Sequence, residues 1–156
     1  MSQIVMYRPD LNRLPEMPAL PSGYALRLLR ENEDEALRDL LQRAFPELAW
    51  TQKMLEEELR RHPNVDRTFI IDYAGVPVAT ATALLEPETN PGAGVLHWVA
   101  AHPDHRGKRL GYCVSLAVLH RFVTMGCTRA KLNTDAYRLA AIQTYVHLGF
   151  QQETSS

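Results

Sequence analysis

A chain of 156 residues, 46% hydrophobic and 22% charged, is sized and composed for one globular domain and is too short for two independent cores. Its net charge of −1 excludes an overall basic surface of the kind that drives nucleic-acid binding, so only a local cluster at Arg106, Lys108 and Arg109 remains. Cys113 and Cys127 make no disulfide framework, residues 1–6 lack the basic start and apolar run of a leader, and no apolar stretch is long enough to cross a bilayer. The expectation is a reduced, cytoplasmic setting with neither nucleic acid nor membrane as partner.

Residues 1–23 carry Pro9, Pro15, Pro18 and Pro21 and read as an extended N-terminal arm, laid on the body or left mobile, ahead of a single domain over 24–156. Residues 24–30 (YALRLLR) predict a first strand. Asn32 followed by Glu35 resembles a capping box, and Ala36, Leu37, Leu40, Leu41 and Ala44 recur at helical spacing until Pro46. Thr51 offers a second N-cap for a helix that Pro63 ends. Runs at 68–73 and 76–85 predict a hairpin turned at Ala74-Gly75, and a loop rich in proline and glycine leads to a strand over 95–101. An apolar helix over 112–125 is followed by Gly126, a short strand spans 129–134, and a helix over 139–148 ends at Gly149 before a last strand from Phe150. The order β-α-α-β-β-β-α-β-α-β, without repeats, predicts a mixed α/β fold rather than a plain alternating array.

The chemistry is best marked at residues 97–111, HWVAAHPDHRGKRLG, where a strand runs into a loop that opens a helix. Unpaired N–H groups and the positive end of the helix dipole at such a start attract a phosphate or pyrophosphate. Gly107 and Gly111 allow close backbone approach, and Arg106, Lys108 and Arg109 add charge. The spacing fits neither G-x-x-x-x-G-K-[ST] nor G-x-G-x-x-G, and a solvated basic turn is the plainer reading of the loop taken alone.

The segment from His102-Pro103 to Gly111 resembles motif A of the GCN5-related N-acetyltransferase (GNAT) superfamily, [QR]-x-x-G-x-[GA] after a strand. Residues 141–150, AIQTYVHLGF, resemble its motif B, A-[IV]-x-x-Y-x-x-x-G-F, in the right order and at a normal separation. The resemblance covers about residues 24–150 and implies a mostly antiparallel central sheet flanked by about four helices. It further implies acetyl-CoA, or another acyl-CoA, as co-substrate and a small-molecule or peptide amine as acceptor, with no metal. Two departures stand out: Arg109 replaces a usual glycine, and Arg138 replaces an asparagine that often contacts the coenzyme. Arg109 either points away or folds over a phosphate; Arg138 either reaches a phosphate or is solvated.

The resemblance assigns coenzyme binding to Arg106, Gly107, Lys108, Arg109, Leu110, Gly111 and Tyr112, with Arg138 beside them, and pantetheine binding to the backbone of Val99, Ala100 and Ala101. Tyr145 aligns with the tyrosine that protonates the leaving thiolate, and a phenol with a pKa near ~10 is close enough to a thiol to donate. His97 stands where many relatives carry an acidic strand residue and is the candidate base for the amine; a histidine satisfied inside the sheet is the other reading. His97, His102 and His105 lack a carboxylate or cysteine at metal-site spacing. Glu47, in the connection that faces the acceptor in this family, is either a lure for a cationic amine or a solvated carboxylate.

The family sheet usually continues past the strand that Phe150 begins, whereas six residues follow Phe150 in this chain. The edge so left is expected to be covered by the proline-rich arm or by a second subunit in a homodimer, unless the chain is cut from something longer. A non-catalytic acyl-CoA-binding module of the same fold is the alternative to a transferase.

Overall fold

The computed structural model describes residues 3–153. Seven strands form one sheet in the order β2-β3-β4-β5-β6-β1-β7. The strands are β1 (Gln3–Arg8), β2 (Tyr24–Leu28), β3 (Val65–Tyr73), β4 (Val76–Leu85), β5 (Ala93–Ala101), β6 (Arg129–Asp135) and β7 (Gln151–Gln152). Helices α1 (Asp34–Ala44), α2 (Gln52–Leu55), α3 (Leu110–Thr124) and α4 (Leu139–His147) flank them, and α2 runs on through a π-helical turn over Glu56–Arg60. All pairings are antiparallel except β5 with β6. The mixed, mostly antiparallel sheet with four helices is the architecture expected from the sequence.

The two faces of the sheet carry separate cores. On one, α3 brings Val114, Val118, Leu119 and Phe122 against Ile71, Ala81 and Leu96. A Cβ at Gly94 would collide with the Phe122 ring, so glycine lets α3 sit flush on β5. On the other face, Leu37, Leu40 and Leu41 of α1 and Leu55 and Leu59 beyond it cover Ile70 and Ala100. Successive residues Ile70 and Ile71 thus serve opposite cores, as the two-residue period of a strand demands.

Local signals explain most boundaries. Ala74 and Gly75 both have positive φ (50° and 89°), as a two-residue hairpin turn requires. The Thr51 side chain accepts from the Met54 N–H at 3.1 Å, capping α2. The capping box expected at Asn32 does not form, and α1 starts after Glu33 without a side-chain cap. The Glu33 carboxylate is engaged elsewhere: it accepts from the Arg30 N–H and from both terminal nitrogens of Arg27 at 2.7 Å.

Residues Gln3–Arg8 of the arm form β1, which pairs along β6 and with Gln151 and Gln152 of β7. Met6 is 1% exposed. No strand was expected there, because six residues ahead of a proline-rich run carry little periodic signal. The edge of β6 is therefore filled by this chain's own first strand, and β7 beyond it is only two residues long, a length that blunts edge-to-edge pairing. Among the described residues no helix is long and apolar enough to cross a membrane.

Arg27 on β2 ties this end of the sheet to the start of α1, bonding Glu33 on one side and Asp72 Oδ2 at 2.6 Å on the other. Its hydrogen bonds hold the Glu33 carboxyl below its ordinary value against the opposing effect of burial. That contribution to stability is complete above the usual carboxylate range and is lost as pH falls through the depressed value. Arg27→Ala would leave two buried carboxylates without their cation, so it should cost roughly 3 kcal/mol or more near neutral pH. The difference in melting temperature from the parent should narrow as pH drops through the carboxylate range; a pH-independent difference would refute the pairing's role.

Candidate functional site

Strands β5 and β6 pair only over Ala93–Val95 and Arg129–Lys131, and beyond Val95 they part. From Leu96 onward the β6-facing edge of β5 has no strand partner, while its other edge stays bonded to β4 as far as Ala101. A bulge helps: Thr82 pairs with His97 and Thr80 with Ala100, so β5 gains one residue on β4. At the bulge Trp98 adopts φ +47°, a left-handed conformation that is costly for a bulky residue. Its ring is held edge-on against Trp50 and Phe45, with centroids 4.8 and 5.1 Å away.

The parting opens a cleft of about 880 Å³. Val99, Ala100 and Ala101 form its floor, and the loop from His102 to Gly111 and helix α4 close it from the α3 face of the sheet. Arg43 and Ala44, at the end of α1, line it from the other face. The cleft thus runs through the split sheet. Among the described residues its charged lining consists of Arg43, Arg106, Arg109 and Arg138 with the imidazoles of His102 and His105, and no carboxylate lines it.

Helix α3 presents its N-terminal end to the cleft through Leu110 and Gly111. The first backbone bond across its start runs from Cys113 N–H to Arg109 O, so the N–H groups of Leu110, Gly111 and Tyr112 precede the intrahelical ladder. No side chain caps this end, and no acid sits in the first turn. Gly107 has φ +81°, and a Cβ on either Gly107 or Gly111 would meet nothing within 4 Å. Packing inside the chain therefore does not require Gly111 to lack a side chain; open space against the cleft is what it provides. Arg109 occupies the left-handed conformation (φ +57°, ψ +33°) that a glycine would take at no cost. Its guanidinium lies 4.1 Å from the centre of the Tyr112 ring, which offsets part of that cost.

The loop is braced from β2 and β3. His105 Nδ1 and the Tyr24 hydroxyl are 2.6 Å apart, and the Tyr73 ring packs beside both. His102 accepts the Asp104 N–H through Nδ1 and begins the short 3₁₀ turn Pro103–His105. Nothing in the motif itself points to Tyr24 or Tyr73, because the contact spans most of the chain.

Of the residues singled out from sequence, Val99, Ala100, Ala101, Arg106, Gly107, Arg109, Leu110, Gly111, Arg138 and Tyr145 line the cleft. Lys108 and Tyr112 do not, although both flank the helix start. Tyr145 is 6% exposed, lies edge-on to Phe150 and, among the described residues, has no hydrogen-bond partner for its hydroxyl. Burial pushes its phenol well above the ordinary value, with Arg138 pulling weakly the other way. The phenol therefore holds its proton more firmly than its ordinary value implied.

His97 lies outside the cleft lining, beside His62 (6.4 Å between ring centres) and Trp98. Burial brings its pKa down to about 4, and its Nε2 is buried without a partner among the described residues. Its position does not support a part in taking the amine proton, and a base that weak would be poorly matched to an ammonium. Among the described residues no group of three or more His, Cys, Asp or Glu is placed to hold a metal ion.

Arg138 bridges the two walls. Its Nη2 donates to Ala44 O at 2.9 Å and to Glu47 Oε1 at 3.3 Å, its Nε reaches Asp135 at 3.4 Å, and its plane stacks 4.1 Å from the Phe45 ring centre. The Tyr137 hydroxyl donates to the same Glu47 oxygen at 3.1 Å. Arg43 and Tyr137 were not foreseen as cleft residues, since only tertiary packing brings residues 43–47 to 137–138.

A family model described as the Acetyltransferase (GNAT) family matches residues 34–150. Mycothiol acetyltransferase of Thermobispora bispora is 32% identical over 96% of this chain and 53% of its own length; that of Kytococcus sedentarius is 29% identical over 94% and 52%. The chain spans about half the length of these curated relatives. Among solved structures, a GCN5-related N-acetyltransferase from Sphaerobacter thermophilus superposes with a TM-score of 0.75 at 21% identity, covering 97% of this chain and 48% of that one. The ribosomal-protein-S18-alanine N-acetyltransferase from Escherichia coli gives 0.70 at 21%, covering 84% and 79%. At such identities the superpositions speak for the fold alone, but the family match spans both β5 with its loop and the helix bearing Tyr145: the chain belongs to the GNAT acetyltransferase family.

Proposed function

We propose that the protein is an acetyl-CoA-dependent N-acetyltransferase that acts on a primary amine of a small molecule or peptide by direct attack within a ternary complex. One observation carries this reading: a cleft through the split sheet has an uncapped helix start and a buried tyrosine on one face and the end of α1 on the other. The residues present fit the coenzyme. Leu110, Gly111 and Tyr112 N–H groups, with Arg106 and Arg109, would hold its pyrophosphate. The unpaired edge of β5 at Val99–Ala101 would take its pantetheine as an added strand and orient the reacting carbonyl.

When bound, the coenzyme supplies an activated thioester. The amine nitrogen forms a bond to the acyl carbon, and the carbon–sulfur bond breaks with the electron pair going to sulfur. Tyr145 gives its hydroxyl proton to that sulfur. Because burial disfavours the phenolate, this transfer needs the amine's proton to leave and Tyr145 to be recharged within the same turnover. Among the described residues no carboxylate lines the cleft, so the amine's proton passes to solvent or to one of the lining imidazoles, His102 and His105. The same lack of a carboxylate favours the second reading, an acyl-CoA-binding module without turnover, and calorimetry with acetyl-CoA followed by thiol release over an amine panel separates the two.

Tyr145→Phe keeps the buried ring and removes the proton donor, so kcat should fall on the order of 10²-fold or more with little change in the KM for acetyl-CoA. Thiol release measured across pH checks it, and undiminished turnover at every pH would remove Tyr145 from the mechanism. Arg109→Gly should act in opposite directions on two readouts. Relief of the left-handed arginine should raise the melting temperature of the free protein by an amount worth about 1 kcal/mol. Loss of the cation should weaken coenzyme A binding several-fold and flatten its salt dependence; equal or tighter binding would show that Arg109 holds no phosphate.

A further inference from the structure

Arg43 and Arg138 are cations on the cleft wall that the coenzyme reading does not use. Arg106 and Arg109 enter from the α3 face, where the helix start already gathers anion-binding groups. Arg43 lines the cleft from the other side, at the end of α1, away from that helix start. Two carboxylates reach Arg138 instead: Glu47 accepts from Tyr137 and Arg138, and Asp135 accepts from Arg138 Nε. Neither lines the cleft. Glu47 is also held below its ordinary pKa, first by its own backbone N–H, then by Tyr137 and Arg138.

Arg43 has no hydrogen-bond or ion-pair partner among the described residues, and Nη1 of Arg138 donates to nothing there. A cationic or neutral amine would find no complementary charge on this wall. An acceptor carrying a carboxylate or phosphate would find guanidinium groups suited to bidentate capture of either. Arg43 is exposed at the end of α1, so a carboxylate or phosphate can reach it from solvent without displacing a protein partner.

We propose that the acceptor is a primary amine that also bears an anionic group, carboxylate or phosphate, held by Arg43 with help from Arg138, and that Glu47 and Tyr137 hold Arg138 in place for it. The inference rests on the acetyltransferase reading and adds the substrate class.

The test is thiol release with acetyl-CoA over matched amines, using the full chain. Phenylalanine, phenylalaninamide and phenethylamine report on a carboxylate; phosphoethanolamine and ethanolamine report on a phosphate. The expected result is at least a tenfold higher kcat/KM for the anionic member of one set, which also identifies the source of the charge. Arg43→Gln should abolish that preference while coenzyme A affinity by calorimetry stays the same, and Arg43→Glu should turn the preference toward the uncharged amines. Equal or better turnover of the uncharged amines overturns the inference, as does a preference that survives Arg43→Gln. A weakened coenzyme A affinity in Arg43→Gln would assign the side chain to the coenzyme instead and equally overturn it. Coenzyme A binding with no amine in either set turned over also counts against it. Absence of any heat with coenzyme A or acetyl-CoA is a different failure: it removes the acetyltransferase reading and this inference with it.

Discussion

The site depends on one constraint: two parallel strands in the middle of a sheet stop pairing after three residues. Backbone N–H and C=O groups at a sheet's centre must be satisfied, and leaving a row of them open costs free energy that only a ligand or water can return. Strand β5 tolerates the parting because its other edge remains bonded to β4 through the bulge at Trp98. Strand β6 tolerates it because β1 is bonded along its far side from Gln3 to Arg8. An N-terminal strand remote from the cleft thus belongs to the same design, since it anchors the strand that diverges.

Two left-handed residues flank the opening, Trp98 on the floor and Arg109 at the start of α3. Each is costly in isolation, and each is held by contacts that need it where it is. Trp98 is wedged among Phe45, Trp50 and the α1–α2 core, while Arg109 lies over Tyr112 at the start of a helix whose apolar side is fully buried. Strain that persists beside a cleft, backed by large buried cores, fits a backbone fixed in advance for a ligand rather than one shaped by its arrival.

What was legible in the sequence follows from what is local. The period-two runs of β3 to β5, the Ala74-Gly75 turn, the Thr51 cap and the glycines after α3 and α4 are all set by residues a few positions apart, and they stand where the sequence put them. The loop of Arg106 to Gly111 and Tyr145 could be singled out because each sits in a short, ordered motif, and both line one cleft. The misses are non-local. The capping box at Asn32 does not form: α1 begins one residue later, after Glu33, whose carboxylate is held by Arg27 of β2 and the Arg30 N–H. Strand β1 was invisible because its partners are residues 130–135 and 151–152. His97 fell outside the cleft lining because the bulge inserts a residue just after it, a geometric event that strand alternation does not announce.

Arg138 connects the parts that a transfer reaction must coordinate. It opens α4, the helix that carries Tyr145, yet its guanidinium is docked on Ala44 O, Glu47 and the Phe45 ring, all at the end of α1. The end of α1 and the helix that carries Tyr145 are thereby fastened together across the split in the sheet. Arg138 is also the one charge that pulls the Tyr145 phenol downward against its burial. An asparagine at this position has neither the reach nor the charge to make that link. The departure from the family pattern at Arg138 thus places a cation that joins the start of α4 to the end of α1.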